Sequence, residues 1–337
     1  MKKITLQQVA ETAGVSISTV DRVINKRGSV SPKAEIKVLQ AAQSLNLDRY
    51  LFRSYLHVIR VAVVMHSLHN HFCRVLHEAF HDLNLTMADI RISCFLHYVN
   101  VGNLTETRTK LQKIVHEYDA LIVIAPNDPA LSKIIYLISH KIPVITLATD
   151  IPDSGRLAYI GPNNYQLGRI AAELMGRFIG TQKGEILIIL GMAEMDGHTE
   201  REAGFRSVIQ QHFPNCSIVA CLESDENQYQ AGKMVANALH EFKNIRGIYN
   251  VSDGNSLIAK MLKTANLSKK VNIITHELTP AHHELLKQGI IDVIIDQNPK
   301  IEAKQALECI ADYFHRNKER SHYNYTPFNL FLRESVL

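Results

Sequence analysis

The stretch Thr5–Asn25, TLQQVAETAGVSISTVDRVIN, decides how the N-terminal part of the chain is read. Leu6, Val9, Ala10 and Ala13 recur at i, i+3, i+4 and i+7, which is one face of a helix. Thr5 followed by Gln8 has the spacing of a capping box, in which side chain and backbone satisfy each other at a helix start. Gly14 tolerates a backbone conformation that a side chain resists, so the first helix should end there. Ser16 then caps a second helix whose Val20, Val23 and Ile24 face the first. Two short helices joined through a glycine turn make a helix-turn-helix, whose second helix enters the major groove of DNA. Its outer face carries Ile17, Ser18, Asp21, Arg22 and Asn25, short polar groups and an arginine suited to base edges and phosphates. A helical bundle with solvated charges is the plainer reading, but a third helix follows at once. Ser31 caps it, Pro32 takes its first position, and Ala34, Val38, Ala41, Ala42 and Leu45 share one face.

Working outward, the charge distribution agrees with that reading. Residues 1–60 hold ten Lys/Arg against four Asp/Glu, while the remaining 277 residues hold 27 against 29. A basic head on a nearly neutral body is the electrostatic footprint of a nucleic-acid binder. The 337 residues and 46% apolar content provide for more than one core. Cys73, Cys94, Cys216, Cys221 and Cys309 are odd in number and form no CxxC pair, which argues against a disulfide framework. The first 20 residues are polar and amphipathic, unlike a signal peptide, and no apolar run approaches the ~20 residues that span a bilayer. A cytoplasmic, nucleoid-associated protein without membrane contact is expected.

From Ile59 the period changes. Ile59–Val64 is a β-branched apolar run, the mark of a buried parallel strand. Helical spacing of Phe72, Leu76, Phe80 and Leu83 follows, then a strand over Ile90–Phe95 and a helix over Thr105–Glu117. Strands are read at Ala120–Ala125, Ile142–Leu147 and Leu157–Ile160, with a helix at Pro129–Lys141. The alternation restarts with a helix at Tyr165–Phe178 and strands at Glu185–Leu190, Ser217–Leu222, Gly247–Asn250 and Asn272–Thr275. Helices at Glu200–His212, Gln228–Phe242 and Asn255–Thr264 separate these strands. Two such runs predict an α/β core of two doubly wound parallel-sheet lobes behind an all-α headpiece, with a cleft at the strand carboxyl ends.

Residues 4–56 resemble the DNA-binding headpiece of the lactose-repressor (LacI/GalR) family, through Thr5, Val9, Ala10, Ala13–Ser16, Thr19, Val20, Arg22, Val23, Asn25, Val30, Ser31, Leu45, Asn46 and Leu56. The resemblance implies base contacts from Ile17, Ser18 and Arg22, and a hinge-helix leucine, Leu56, wedged into the minor groove. It extends the DNA-facing set to Thr5, Ser16, Thr19, Asp21, Asn25, Ser31 and Arg53. Two departures stand out. Arg49-Tyr50 replaces the more usual Pro-Asn before the hinge helix, and Asp21, where serine is common, should repel phosphate unless it contacts a cytosine amine.

The rest of the chain resembles a type I periplasmic-binding-protein core of the branch nearest ribose-type binders. The carrying stretches are Ile142–Val144, Ala158–Gly161, Gly168-Arg169, Arg201–Phe205, Val251–Asn255, Thr279-Pro280 and Asp296–Pro299. The resemblance implies a headpiece over 1–48, a hinge over 49–58, one lobe from 59–161 plus 296–323, and another from 162–295 plus 324–337. Interlobe crossings are expected near Gly161–Asn163, Ile294–Gln297 and Tyr323–Pro327, and Phe328–Glu334 should form the final strand. No heptad extension follows, so a homodimer on a near-palindromic operator is implied, rather than a coiled-coil tetramer.

Carried over position by position, the effector-binding residues are His66, Asn70, Phe72, Asp150, Arg201, Asn227, Ser252, Asp253, Glu277 and Gln297. Carboxylates, amides, an arginine and an aromatic platform are what the hydroxyls and ring face of a sugar or polyol require. Ala125 and Ala148 stand where relatives often place polar contacts, Cys73 replaces a second aromatic, and Asn227 replaces another. Asp150, two residues beyond Ala148, would share its direction in extended backbone and is read as a substitute carboxylate. These departures point away from a simple ribose-like ring and toward an acidic or modified sugar. His66, His69 and His71 follow the first strand and should reach the cleft mouth, though a plain polar loop is the favoured alternative.

His77-Glu78-Ala79-Phe80-His81 spells HExxH, yet Phe72, Leu76, Phe80 and Leu83 define the buried face and no third ligand follows. No metal and no cofactor are expected. The leading function is a transcriptional regulator, most simply a repressor, whose operator affinity answers to a sugar, sugar acid or polyol. A purine- or nucleoside-responsive regulator is its main rival. A solute-binding receptor would have no use for residues 1–58, and a sugar-processing enzyme finds no GxxxxGK[ST], GxSxG or GxGxxG to support it.

Overall fold

The computed structural model describes residues 4–25, 27–45, 47, 57–68, 70–87, 90–100, 103–316 and 325–336. The headpiece contains α1 (Leu6–Ala13), α2 (Ile17–Ile24) and α3 (Pro32–Ser44). Thr5 and Gln8 close a full capping box, and Gly14 ends α1 in the left-handed region at φ 62°. Ser16 accepts from the Thr19 amide to cap α2, and Ser31 accepts from the Ala34 amide at 3.2 Å to cap α3. Such caps are worth about 1 kcal/mol each, a large share of the stability of a three-helix unit this small. The helices close over Val9, Val20, Val23, Val38 and Leu39, all buried. The hinge positions Arg53 and Leu56 lie outside the described residues, as does His69.

The core holds two sheets. The first has strand order β2-β1-β3-β4-β5, from β1 (Ile59–His66), β2 (Ile92–Val99), β3 (Ala120–Val123), β4 (Val144–Leu147) and β5 (Ala158–Ile160). All its pairings are parallel. Helices α4 (His71–Thr86), α5 (Leu104–Glu117) and α6 (Pro129–Ser139) connect its strands. The second has order β11-β10-β9-β8-β6-β7, from β6 (Gly184–Leu190), β7 (Cys216–Glu223), β8 (Ile245–Asn250), β9 (Asn272–His276), β10 (Val293–Asp296) and β11 (Asn329–Phe331). Only β11 runs antiparallel, beside β10. Helices α7 (Asn164–Ile179), α8 (Asp196–His212), α9 (Gln228–Glu241), α10 (Asn255–Thr264) and α11 (Pro280–Lys287) belong to this lobe.

The four-residue strands β3 and β4 are buried at every position, which explains their unbroken apolar runs. Strand β2 begins at Ile92, not Ile90, because α4 runs on to Thr86 and Ile90 is taken up in a turn. The alternation read from the sequence stops at Thr275, whereas the chain continues through α11 and β10 to α12 (Pro299–Tyr313). Helix α12 returns to the first lobe. Its Ala303, Ala306, Leu307 and Ile310 share one buried cluster with Leu76 and Phe80 of α4. Near Gly161 the chain passes from β5 into α7, and the Thr326 amide donates to the Gly161 carbonyl at 2.9 Å, so a later segment runs alongside.

Candidate functional site

The outward face of α2 is available. Ile17 is 47% exposed, and Ser18, Arg22 and Asn25 are exposed beside it. Thr5, Ser16 and Ser31 spend their hydroxyls on helix caps, and Thr19 is bonded to Ser16. Asp21 is not the bare charge the sequence suggested. Its carboxylate accepts from Asn25 Nδ2 at 2.6 Å and from Arg27 Nη1 at 2.8 Å, so its repulsion of phosphate is offset by residues just after the helix.

Between the lobes lies an open cleft lined by residues of both sheets, the kind of concave place in which small-molecule sites are built. Its lining comes almost wholly from segments that follow strand carboxyl ends, where doubly wound sheets place ligands. Eight of the ten effector positions named from the sequence line it: His66, Asn70, Phe72, Arg201, Ser252, Asp253, Glu277 and Gln297. Asn70 doubles as the cap of α4, accepting from the Cys73 amide at 3.2 Å.

Arg201 is held from three sides. Gly168 of α7 and Gly204 of α8 bring the two helices into near backbone contact. A Cβ on Gly168 would sit 1.9 Å from the Arg201 carbonyl oxygen, and one on Gly204 would sit 2.0 Å from that of Tyr165. The guanidinium donates through Nε to Asn164 Oδ1 at 2.8 Å and through Nη2 to Gln297 Oε1 at 3.1 Å. Gln297 in turn donates to Glu277 Oε1 at 2.7 Å. Asn164 reaches the first lobe by donating to the Ala148 carbonyl at 3.3 Å. This chain of bonds ties the arginine to the first residue of α7 and to the segment that leads into α12.

Two other positions fall elsewhere. Asp150 is not among the lining residues: its carboxylate pairs with Arg156 and accepts from Thr146 Oγ1. The extended backbone assumed for it fails at Ala148, which has φ 63° and turns the chain. Asn227 caps α9, accepting from the Tyr229 and Gln230 amides. The carboxyl that lines the cleft there belongs to Glu226, one residue earlier, in a turn where Asp225 and Glu226 have φ 52° and 56°. Glu277 has φ 64°. Left-handed backbone at such residues costs of order 1–3 kcal/mol each and gathers at ligand sites. Gly191 makes room for Glu226, because a Cβ there would meet the carboxylate oxygen at 1.9 Å.

His71, expected at the cleft mouth, lines it too, and so do Thr149, Met192, Met195, His198, His276, Thr279 and His282, to which the sequence reading gave no effector role. Burial, aided by Arg201, holds His198 down to about 3, and holds His276 well below the usual imidazole range. His198 Nδ1 accepts from the Met192 amide at 3.2 Å, so the ring carries its proton on Nε2, 3.7 Å from Glu226. His282 Nδ1 donates to the Glu277 carbonyl at 2.7 Å, and its Nε2 accepts from Asn255 at 3.0 Å. These are neutral rings in fixed tautomers. The carboxyls move the other way. Burial and Asp253 push Glu226 up to about 7, and burial and Asp296 push Glu277 up to about 8. Near neutrality Glu277 can therefore donate as well as accept.

His77 of the HExxH run bonds Tyr98 OH at 2.6 Å, and His81 is largely exposed. Among the described residues no group of three or more His, Cys, Asp or Glu is arranged to hold a metal ion, and no helix is long and apolar enough to cross a membrane.

Comparison with known proteins agrees with this architecture. Residues 61–318 match the family described as "Periplasmic binding protein domain", and residues 5–48 match "Bacterial regulatory proteins, lacI family". The ribose operon repressor of Halalkalibacterium halodurans is 27% identical over 274 residues, covering 79% of this chain and 76% of that protein. Two solved structures share the fold. A putative LacI transcriptional regulator from Bacteroides fragilis superposes with TM-score 0.74 at 21% identity, covering 83% of this chain and 99% of its own. The glucose-galactose binding protein GanP from Geobacillus stearothermophilus gives TM-score 0.75 at 21% identity, with 83% and 99% covered. Over most of its length the chain belongs to the family of periplasmic binding protein domains, and it carries at residues 5–48 the DNA-binding domain of the lacI family of bacterial regulatory proteins.

Proposed function

We propose that this protein is a transcriptional repressor that grips a near-palindromic operator as a homodimer and answers to an uncharged sugar or polyol in the interlobe cleft. The observation that carries the effector class is the charge of the lining. Among the described residues Arg201 is its one permanent cation, already bonded to Asn164 and Gln297, and it stands beside the carboxyls of Glu226, Asp253 and Glu277. Three of its histidines, His198, His276 and His282, are held neutral by burial. A carboxylate or phosphate on the effector would have to share that one cation with three carboxyls, whereas hydroxyls find donors and acceptors in pairs. Within the sugar, sugar acid or polyol expected from the sequence, this reading favours the neutral members over the acidic or modified sugar. A purine is disfavoured as well, since Phe72 is the one Phe, Tyr or Trp in the lining. The name of the Halalkalibacterium relative, a ribose operon repressor, points to the same class. The effector changes operator affinity and leaves the cleft chemically intact.

The test is a thermal-shift panel of D-ribose, D-galactose, myo-inositol, D-gluconate, D-galacturonate and adenosine, followed by binding to duplexes selected from a random library. A neutral member should raise the melting temperature, with ~2.7 kcal/mol of stabilisation at a hundredfold excess over Kd. That member should also alter duplex affinity, which itself should fall steeply with salt. A response to the acids or adenosine with none to the neutral compounds would overturn the effector class. Selection of no duplex would overturn the regulator.

A further inference from the structure

Helix α12 begins at the effector cleft and ends at the headpiece. At its start, Gln297 bonds Arg201 and Glu277, and Asn298 enters the helix in the left-handed region at φ 59°. At its end, His315 is left-handed at φ 55°, and the His315 and Arg316 amides return to the Asp312 and Ala311 carbonyls. That is a Schellman closure with histidine in the place where glycine is usual. The imidazole has a use there: its Nε2 lies 2.7 Å from Gln40 of α3.

The closure also fixes Arg316, which is 4% exposed, against Glu35 of α3, which is 1% exposed. Arg316 Nη2 lies 3.8 Å from Glu35 Oε1 and donates to the His57 carbonyl at 3.3 Å. His57 Nε2 lies 3.4 Å from Glu35 Oε2 and bonds the Val30 carbonyl at 2.8 Å. Apolar packing flanks these bonds, for Ile36 of α3 packs on the first lobe's core and Ile90 of that lobe packs on the headpiece core. The reading face of α2 remains outward, with Ile17 47% exposed.

We propose that α3 docks on its own first lobe and that α12 is a strut which carries the state of the effector cleft to the headpiece. Fifteen helical residues span about 22 Å, and a helix packed along one face transmits a shift at one end as a shift at the other. Opening or closing of the cleft moves Gln297, and the Arg316–Glu35 pair moves with the far end. The inference rests on the repressor reading, and its deciding measurement uses neither sugar nor DNA.

The experiment is hydrogen exchange on the full chain carrying Gln297→Ala, Arg316→Met, or both. Gln297→Ala should change the exchange of α3 amides by about 2- to 30-fold, the equivalent of ~0.5–2 kcal/mol of coupling. The change should vanish when Arg316→Met is also present. An equal response with and without Arg316, or no response with it, would overturn the strut and leave coupling to the hinge and the subunit interface. Glu35→Gln, which keeps side-chain size, should abolish the response in the same way, so poor folding of one variant does not decide the matter. In Arg316→Met the active sugar and the selected duplex should still bind, each without altering the other. Loss of both in the unsubstituted chain would instead sink the repressor reading.

Discussion

Replacement of Glu277 by Gln should stabilise the empty protein in alkaline solution and leave it unchanged in acid. The carboxyl is displaced from 4.5 to about 8 by burial and by Asp296. A displacement of that size is worth at most about 5 kcal/mol, and on the order of 1–3 kcal/mol after allowing for solvent in an open cleft. Because the folded-state value is the higher one, the folded chain binds more protons than the unfolded chain between the two values, and stability falls as pH rises. The penalty is absent below about pH 4.5, grows through neutrality and is complete above about pH 8. Glutamine removes it while preserving the acceptor for Gln297 Nε2, which donates to Oε1 at 2.7 Å. The substitution leaves the backbone strain at φ 64° essentially unaltered. Melting curves of both proteins without sugar, at pH 4.5, 6, 7 and 8.5, should show a difference widening to about 1–4 °C at the alkaline end. Relief of repulsion on Glu226 works in the same direction. A difference independent of pH, or one that narrows as pH rises, would refute the reasoning.

Two further outcomes follow from the same geometry. Asn227→Ala should lower stability by about 1 kcal/mol through loss of the α9 cap and leave sugar affinity within about twofold; a large loss of affinity by calorimetry at unchanged stability would place Asn227 on the ligand. Gly168→Ala forces a methyl group to 1.9 Å from the Arg201 carbonyl oxygen, so urea unfolding should report a loss of about 1–3 kcal/mol or more, with weaker sugar binding. An unchanged midpoint would mean that α7 and α8 can separate without strain.

The headpiece was legible because its signals are local. The Thr5–Gln8 box, Gly14, and the Ser16 and Ser31 caps each act within a few residues, and each is present as read. The sheets were legible because a buried parallel strand leaves an unbroken apolar run, as in β3 and β4. What escaped was set by backbone direction or by distant partners. Asp150 follows a left-handed Ala148, a conformation that no residue type there announces. Asn227 stands immediately before an amphipathic run, and that cap signal was on the page; the carboxyl of Glu226 turns into the cleft through two successive positive φ values that were not. His198, His276 and His282 owe their neutral state to burial among elements far apart in the chain, so seventeen histidines gave no means of telling these from the rest. Helix α12 was missed because its alanines and leucine answer to α4, more than 200 residues earlier.

The two walls of the cleft are unlike. Arg201, Glu226, Asp253 and Glu277 all stand on the second lobe, while the first contributes Phe72, Cys73, Ile124 and Ala148 beside its polar groups. An incoming sugar thus finds the arginine and the carboxyls on one side and a ceiling of mixed polar and apolar groups on the other. Shutting the ceiling carries Phe72, Ile124 and Ala148 out of water against the ligand. Calorimetry of the sugar complex should accordingly show a markedly negative heat-capacity change, so that the repressor's sensitivity to its effector drifts with growth temperature.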